Sequence, residues 1–392
     1  MPRKRLLVLD RPVDGARNPA WHRGPASRAT FFIVGPQPPP THGVAMINSQ
    51  IAASLGSHGP VFVADTSPQS LHRSWSYHLK KFCRVLAACF HILVHRGRAN
   101  VVYLSIDGGG GAIYNCLVAA IARLARARLF LHHHSFGYID RRSPIISLLN
   151  RCSGRTSCNI FLCQKMASRY RDIYGQAGRD LVVGNAWSIA APVEPRPDQA
   201  RGRFTIGLLS NLTAEKGVFE FIKVARRCHA AGLPVRAILA GPCPQADCAA
   251  AIERAGVELG DSFEYWGPVF GARKQAFFDA TTLFVFPTNY EHEAQPLVLL
   301  EALSFGCGVV SKAKGCIGED FANTGCVTVL SSSYFIEGTL ERISTLLRSP
   351  GAAAQVAADA RRAFVRLKND AELQLAHLFD RMGACTGTAT EC

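Results

Sequence analysis

Short apolar runs alternate with helix-period segments along this chain, in two series separated by a proline-containing break. In the first series, ATFFIVG (29–35), VFVAD (61–65), VVYLSI (101–106), RLFLHHH (128–134), NIFLC (159–163) and LVVG (181–184) read as strands. In the second, FTIGLLS (204–210), VRAILAG (235–241), FEYWG (263–267), LFVFP (283–287) and GVVSK (308–312) do so, and helical segments over 334–382 close the chain. Runs apolar at nearly every position belong to strands buried on both faces, as in parallel sheets covered by helices. Two such βα series predict an α/β protein of two Rossmann-like domains. The boundaries follow: a basic tail over 1–28, a first domain over 29–186, a linker over 187–203, a second domain over 204–370, and a final helix and tail over 371–392.

Charge separates the two series. Residues 1–190 carry 24 Lys and Arg against 7 Asp and Glu, so the first half holds all of the chain's net +15. Such a half suits a polyanionic surface, a membrane or a nucleic acid. The segment 77–98 adds a helical stripe, with Leu79, Phe82, Cys83, Leu86, Cys89, Phe90 and Leu93 on one face beside Lys80, Lys81, Arg84, Arg96 and Arg98. No basic motif interleaved with aromatics and no zinc spacing accompanies the charge, which argues against nucleic acid as a partner. The 14 cysteines are scattered without a C-x-x-C pair, as expected of reduced, cytoplasmic thiols. No stretch reads as a secretory signal or a membrane span.

The chemistry concentrates in YEHEAQPLVLLEALSFGCG (290–308). Glu293 and Glu301 stand eight positions apart, the first in a loop after a buried strand and the second on the following helix. Pro296 suits the first turn of that helix, Gly306 and Gly308 suit its end, and its N-terminus forms an anion site. Both carboxylates then stand at the carboxyl edge of a parallel sheet, where ligands bind in open α/β folds.

At these residues the chain resembles the retaining glycosyltransferases of family 4, whose E-x7-E signature ends in Glu-Ala, here Glu301-Ala302. The similarity continues through GCGVVSKAKGCIGED (306–320) and spans roughly residues 30–381. It implies the GT-B fold, two Rossmann-like domains facing across a cleft, with the donor held by the second and the acceptor by the first. It also implies a hexosyltransferase of the bacterial polysaccharide or lipid-linked glycan type, acting on a UDP- or GDP-linked sugar with no cofactor and no metal.

Other segments extend the resemblance. In LLSNLTAEKGVFEFIKVA (208–225) a strand ends at Ser210, and the loop after it carries Asn211 and Lys216; the family commonly places Arg where Asn211 stands. A lysine in such a loop offsets diphosphate charge. In GPQPPPTHGVAMIN (35–48), Gly43 takes the place of the small residue that lets backbone approach the donor phosphates, while His42 replaces the first of the usual paired glycines. The run His132, His133, His134 cannot ligate one metal, because alternation sends His133 to the opposite face. The family's histidine at the end of this strand matches His134 first and His132 second. The glycine run 108–111 matches neither a P-loop nor a dinucleotide fingerprint.

The resemblance thus implies Glu293, Lys216 and His134 as catalytic residues. It implies Gly43, Ser210, Asn211, Gln295, Pro296, Leu297 and Glu301 as donor-binding residues, with Glu301 on the ribose. The expected reaction is transfer with retention to a glycan or lipid-linked acceptor, by an enzyme peripheral on the inner face of an anionic membrane. The alternative is a GT-B binding or scaffold subunit without transfer activity.

Overall fold

The computed structural model describes residues 29–39, 42–67, 75–97, 100–176, 178–190, 203–321, 324–349 and 351–383. The expected basic tail (1–28), most of the linker (191–202) and the last residues (384–392) lie outside these. The chain divides into two units, Met1–Ser188 with Ala371–Cys392, and Ile189–Asp370.

The first unit runs β1 (Phe31–Gly35), α1 (Gly43–Leu55), β2 (Val61–Asp65), α2 (Trp75–Val94), β3 (Val101–Ile106), α3 (Ala112–Leu124), β4 (Arg128–His133), α4 (Gly137–Asp140), α5 (Pro144–Ser153), β5 (Cys158–Phe161), α6 (Gln164–Tyr174) and β6 (Arg179–Val182). Its six strands are all parallel, in the order β2-β1-β3-β4-β5-β6. β1 and β3 are buried at every position, which is why their sequences show no polar alternation.

The second unit runs β7 (Phe204–Leu209), α7 (Val218–Ala230), β8 (Val235–Ala240), α8 (Ala246–Leu259), β9 (Phe263–Tyr265), α9 (Gly271–Ala280), β10 (Leu283–Phe286), α10 (Leu297–Ser304), β11 (Gly308–Lys312), α11 (Ile317–Asp320), β12 (Val327–Leu330) and α12 (Phe335–Arg348). Its parallel sheet has the order β12-β11-β10-β7-β8-β9. The chain reverses direction across the sheet between β7 and β10, so the loops that follow these two strands meet at a topological switch point. Phe277, Phe278, Phe284 and Phe286 are fully buried beneath it, each contributing about 1.5–3 kcal/mol of burial. The edge strand β12, only partly buried, has no counterpart in the sequence reading.

The last helix, α13 (Ala352–Arg381), contributes its final residues to the first unit. Arg128 Nη2 donates to the carbonyl of Met382 at 2.8 Å, and Gln374 Oε1 accepts from the amide of Gly184 at 2.9 Å. A proline-poor helical sequence signals a helix here, but nothing local in it says which sheet its end will join.

α2 departs from its expected pattern. The buried face is Val85, Ala88, Cys89 and Ile92, whereas Leu79, Phe82, Leu86, Phe90 and Val94 are exposed. Lys81 is buried and pairs with Asp107 at 2.7 Å, and Arg84 reaches Asp65 at 3.4 Å. Two cations expected on a solvent or lipid face are therefore spent in ion pairs within the unit.

Candidate active site

Lys216 and Glu293 meet at the switch point of the second sheet. Lys216 lies in the β7–α7 loop and Glu293 in the β10–α10 loop, and Nζ stands 2.7 Å from Oε2. Gly217 makes the approach possible. Its φ is +83°, and a Cβ there would lie 2.5 Å from the Pro287 carbonyl oxygen. Only glycine accepts both the left-handed backbone and that contact. Thr288 Oγ1 donates to the same Glu293 oxygen at 3.1 Å, and the Lys216 ammonium sits 4.2 Å from the centre of the Tyr290 ring. Glu293 is buried and Lys216 half-buried, so the two charges compensate each other where water screens them little.

The rest of the predicted donor residues take separate places on this edge. Pro296 stands one position before α10, as its N-cap, and its carbonyl accepts from Leu299 at 3.2 Å. The amides of Leu297 and Val298, lacking intrahelical acceptors, open the helix as an anion site. Gln295 is buried and its Nε2 donates to Asp320 at 2.5 Å. Glu301 does not join Glu293; it pairs with Lys274 of α9 at 2.5 Å. Ser210 follows β7 directly, its amide donating to the carbonyl of Ala240 at 3.2 Å, and the side chain of Asn211 is exposed. Thr288, Tyr290, Lys274 and Asp320 escape a sequence reading: Tyr290, Lys274 and Asp320 join the site through contacts between segments distant in sequence, and Thr288 through a side-chain contact within the Glu293 loop.

Gly43 and His134 belong to the first unit. Gly43 is the first residue of α1, and His42 caps that helix, with Nδ1 accepting from the Ala45 amide at 3.3 Å. The glycine run after β3 leads into α3, and a Cβ at Gly109 or Gly110 would meet nothing.

The three histidines divide by strand alternation, as the sequence requires. On one face, Asn159 donates through Nδ2 to Asp180 at 3.2 Å, so its Oδ1 accepts from His133 Nε2 at 3.3 Å. His133 Nδ1 then accepts from the Tyr138 hydroxyl at 3.0 Å. His133 is a fully bonded neutral core histidine, and burial pushes its pKa down to about 4. On the other face, Asn48 Nδ2 donates to the Pro36 carbonyl at 3.0 Å, so its Oδ1 accepts from the Tyr103 hydroxyl at 3.3 Å. The Tyr103 oxygen therefore accepts the proton of His132 Nδ1 at 2.5 Å, leaving His132 Nε2 as a buried acceptor without a partner. The His134 ring lies against His132, with centroids 3.9 Å apart, and its buried Nε2 is also unpartnered. Burial, with His133 and His42 nearby, lowers the His134 pKa to about 3. Among the described residues, no three His, Cys, Asp or Glu side chains group as they would around a metal ion.

Comparison with known proteins agrees with this geometry. Residues 203–349 match the family described as Glycosyl transferases group 1. Solved structures share the architecture. Anabaena Alr3699/HepE in complex with UDP superposes with a TM-score of 0.63 at 17% identity, over 89% of this chain and 99% of that one. Sucrose-phosphate synthase from Thermosynechococcus elongatus gives 0.65 at 14% identity, over 91% and 100%. The E. coli trehalose-6-phosphate structure bound with UDP-2-fluoro glucose gives 0.63 at 11%, over 90% and 99%. A search of curated protein sequences returns no match. The fold is that of a two-domain α/β protein of the GT-B class. The match to the Glycosyl transferases group 1 family lies within the second unit.

Proposed function

We propose that this enzyme moves a hexose from a UDP- or GDP-linked donor to a glycan or lipid-linked acceptor at an anionic membrane face, in the assembly of a polysaccharide. The observation that carries the donor reading is the Lys216–Glu293 pair at the switch point, beside the open N-terminus of α10. A nucleoside diphosphate needs its charge offset as it departs, and Lys216 with the α10 amides supplies that offset. Glu293 Oε2 is taken by Lys216 and Thr288, so Oε1 is the atom left to hold a donor sugar hydroxyl. The relatives of the same fold that were solved with UDP, UDP-glucose or UDP-2-fluoro glucose support a nucleotide-sugar donor here. Glu301 is assigned to the ribose, which then competes with Lys274 for the carboxylate. The first unit takes the acceptor, and His134 is its candidate catalytic residue.

Retention follows from the family's chemistry. The sugar becomes oxocarbenium-like as the diphosphate leaves, and the acceptor hydroxyl attacks from the same face, passing its proton to a diphosphate oxygen. The two carboxylates are not a hydrolase pair straddling one bond, because each is held by a different lysine.

The membrane reading rests on α2. Leu79, Phe82, Leu86, Phe90 and Val94 form an exposed apolar stripe, flanked by Lys80, His91 and Arg96, in a half-chain of net +17. An interfacial helix has this combination of apolar face and basic rim. No described helix is long and apolar enough to cross a membrane.

The test is a thermal-shift panel of UDP- and GDP-sugars, since a donor that binds the native state raises Tm by mass action. NMR of the anomeric centre of the product follows. An α-linked donor should give an α-linked product, and a β-linked one would refute the retaining mechanism. A chain that binds donors without ever transferring the sugar would point to the scaffold alternative.

A further inference from the structure

Lys216, Lys274, Lys312 and Lys314 stand in the loops at the carboxyl edge of the second sheet, at the end of β11 or near the start of α9, and the first three are neutralised. Lys216 pairs with Glu293 at 2.7 Å, Lys274 with Glu301 at 2.5 Å, and Lys312 with Glu220 at 3.2 Å. Lys312 is further committed, with Nζ 2.8 Å from Asn289 Oδ1 and 5.4 Å from the centre of the Phe335 ring. A diphosphate placed on this edge would meet three ion pairs, each already close to charge balance, and an exposed, uncharged Asn211. The α10 amides contribute only a partial charge.

Lys314 is the fourth. It is half-buried, and among the described residues it has no ion pair. Its loop is bound to the loop that carries Glu293. The Cys316 amide donates to the Ala294 carbonyl at 2.9 Å, and a Cβ on Gly315, whose φ is +55°, would lie 2.5 Å from the Glu293 carbonyl oxygen. The backbone of Lys314 is itself fixed in a tight turn, its amide donating to the Lys312 carbonyl at 2.9 Å and its carbonyl accepting from Ile317 at 3.0 Å. Lys314 is thus one residue from direct contact with the Glu293–Ala294 backbone, on a rigid base and with a flexible stem. β10 lies between β7 and β11 in the sheet, so Asn211 and Lys314 stand on the two sides of the strand that ends in the Glu293 loop.

We propose that Lys314 is a second diphosphate-binding cation of the donor site, supplying from the β11–α11 loop the charge that Asn211 does not supply from the β7–α7 loop. This inference rests on the nucleotide-sugar reading of the site. A nucleoside diphosphate tests it without requiring transfer. Calorimetric titration of the full chain with UDP and with GDP should show binding of at least one. Lys314→Gln should weaken that binding tenfold or more with no change in Tm, and Lys314→Arg should stay within threefold of wild type. Lys314→Gln within twofold of wild type, or Lys314→Arg as weak as Lys314→Gln, overturns the assignment while the donor site itself stands. A wild type that binds neither nucleotide overturns both. A wild type that binds one but never transfers a sugar removes only the transferase reading, leaving the role of Lys314 in binding intact.

Discussion

Lys216 Nζ and Glu293 Oε2 lie 2.7 Å apart although 77 residues separate them in the chain. Each is held by its own loop, and each is the other's principal compensation in a half-screened site. Removing either one therefore changes the state of the partner as well as its own contact. Glu293→Ala and Lys216→Ala should each lower kcat by roughly 2.7–4 kcal/mol in transition-state terms, the scale for one stabilising group. The double variant should cost less than the sum, because the pair acts as a unit. Steady-state kinetics of the four-member cycle checks this; near-wild-type turnover in Glu293→Ala sinks the site.

Gly217 tests the same relationship through the backbone. Gly217→Ala places a Cβ against Pro287 at a φ of +83°, so the loop must shift away from the end of β10. We expect a loss of at least ~1 kcal/mol in stability, together with a larger loss in donor affinity as Lys216 leaves Glu293. Gly232 also has a positive φ, +65°, but a Cβ there meets nothing. Gly232→Ala should therefore cost stability and leave donor binding unchanged. Equal effects of the two variants on donor affinity would separate Gly217 from the site.

The fold was legible because parallel strands buried on both faces leave an unbroken apolar signature; ten of the strands align with runs such as FFIVG and LFVF, and FEY is the third strand of the second series. β12 was not, since VTVL is short and only partly buried at an edge. In the candidate site, the positions of Glu293 and Lys216 in loops after strands were readable from the sequence. Their mutual contact was not, because the spacing of two loops is fixed by the sheet order that places β7 beside β10. Lys81 shows the converse. Among the basic residues of α2 it looks like a solvated charge, and only the fold reveals Asp107 facing it.

Acid should act on the first unit through its histidines. His133 has a folded pKa of about 4, below the unfolded value near 6.5, so between those pH values the unfolded chain binds more protons. Stability is then complete above about pH 6.5 and is lost as pH falls toward 4, by up to ~1.4 kcal/mol per pH unit for this residue. His134, at about 3, acts with the same sign. Urea unfolding at pH 7, 5.5 and 4.5 measures the slope. His133→Gln should flatten it, and a parallel profile would show that His133 does not contribute.

Membrane docking should depend on the exposed stripe of α2 rather than on its buried cations. Lys81→Glu would place two carboxylates together where Lys81 now meets Asp107 at 2.7 Å, so its effect would report on folding and not on lipid. Leu86→Glu with Phe90→Glu changes only exposed positions and should leave Tm within a degree or two of wild type. In sedimentation with phosphatidylglycerol-containing vesicles, wild type should bind at low salt and weaken at high salt, since each Lys or Arg near the surface contributes ~1 kcal/mol that ions screen. The double variant should lose most of the binding at low salt, because it removes apolar area and adds two anions to the docking face. Lys80→Glu alone should weaken binding and reduce its salt dependence. Wild type remaining in solution at low salt would remove the membrane from the proposed function and leave a soluble glycan as the acceptor. Binding that survives the loss of Leu86 and Phe90 would move the docking surface off α2.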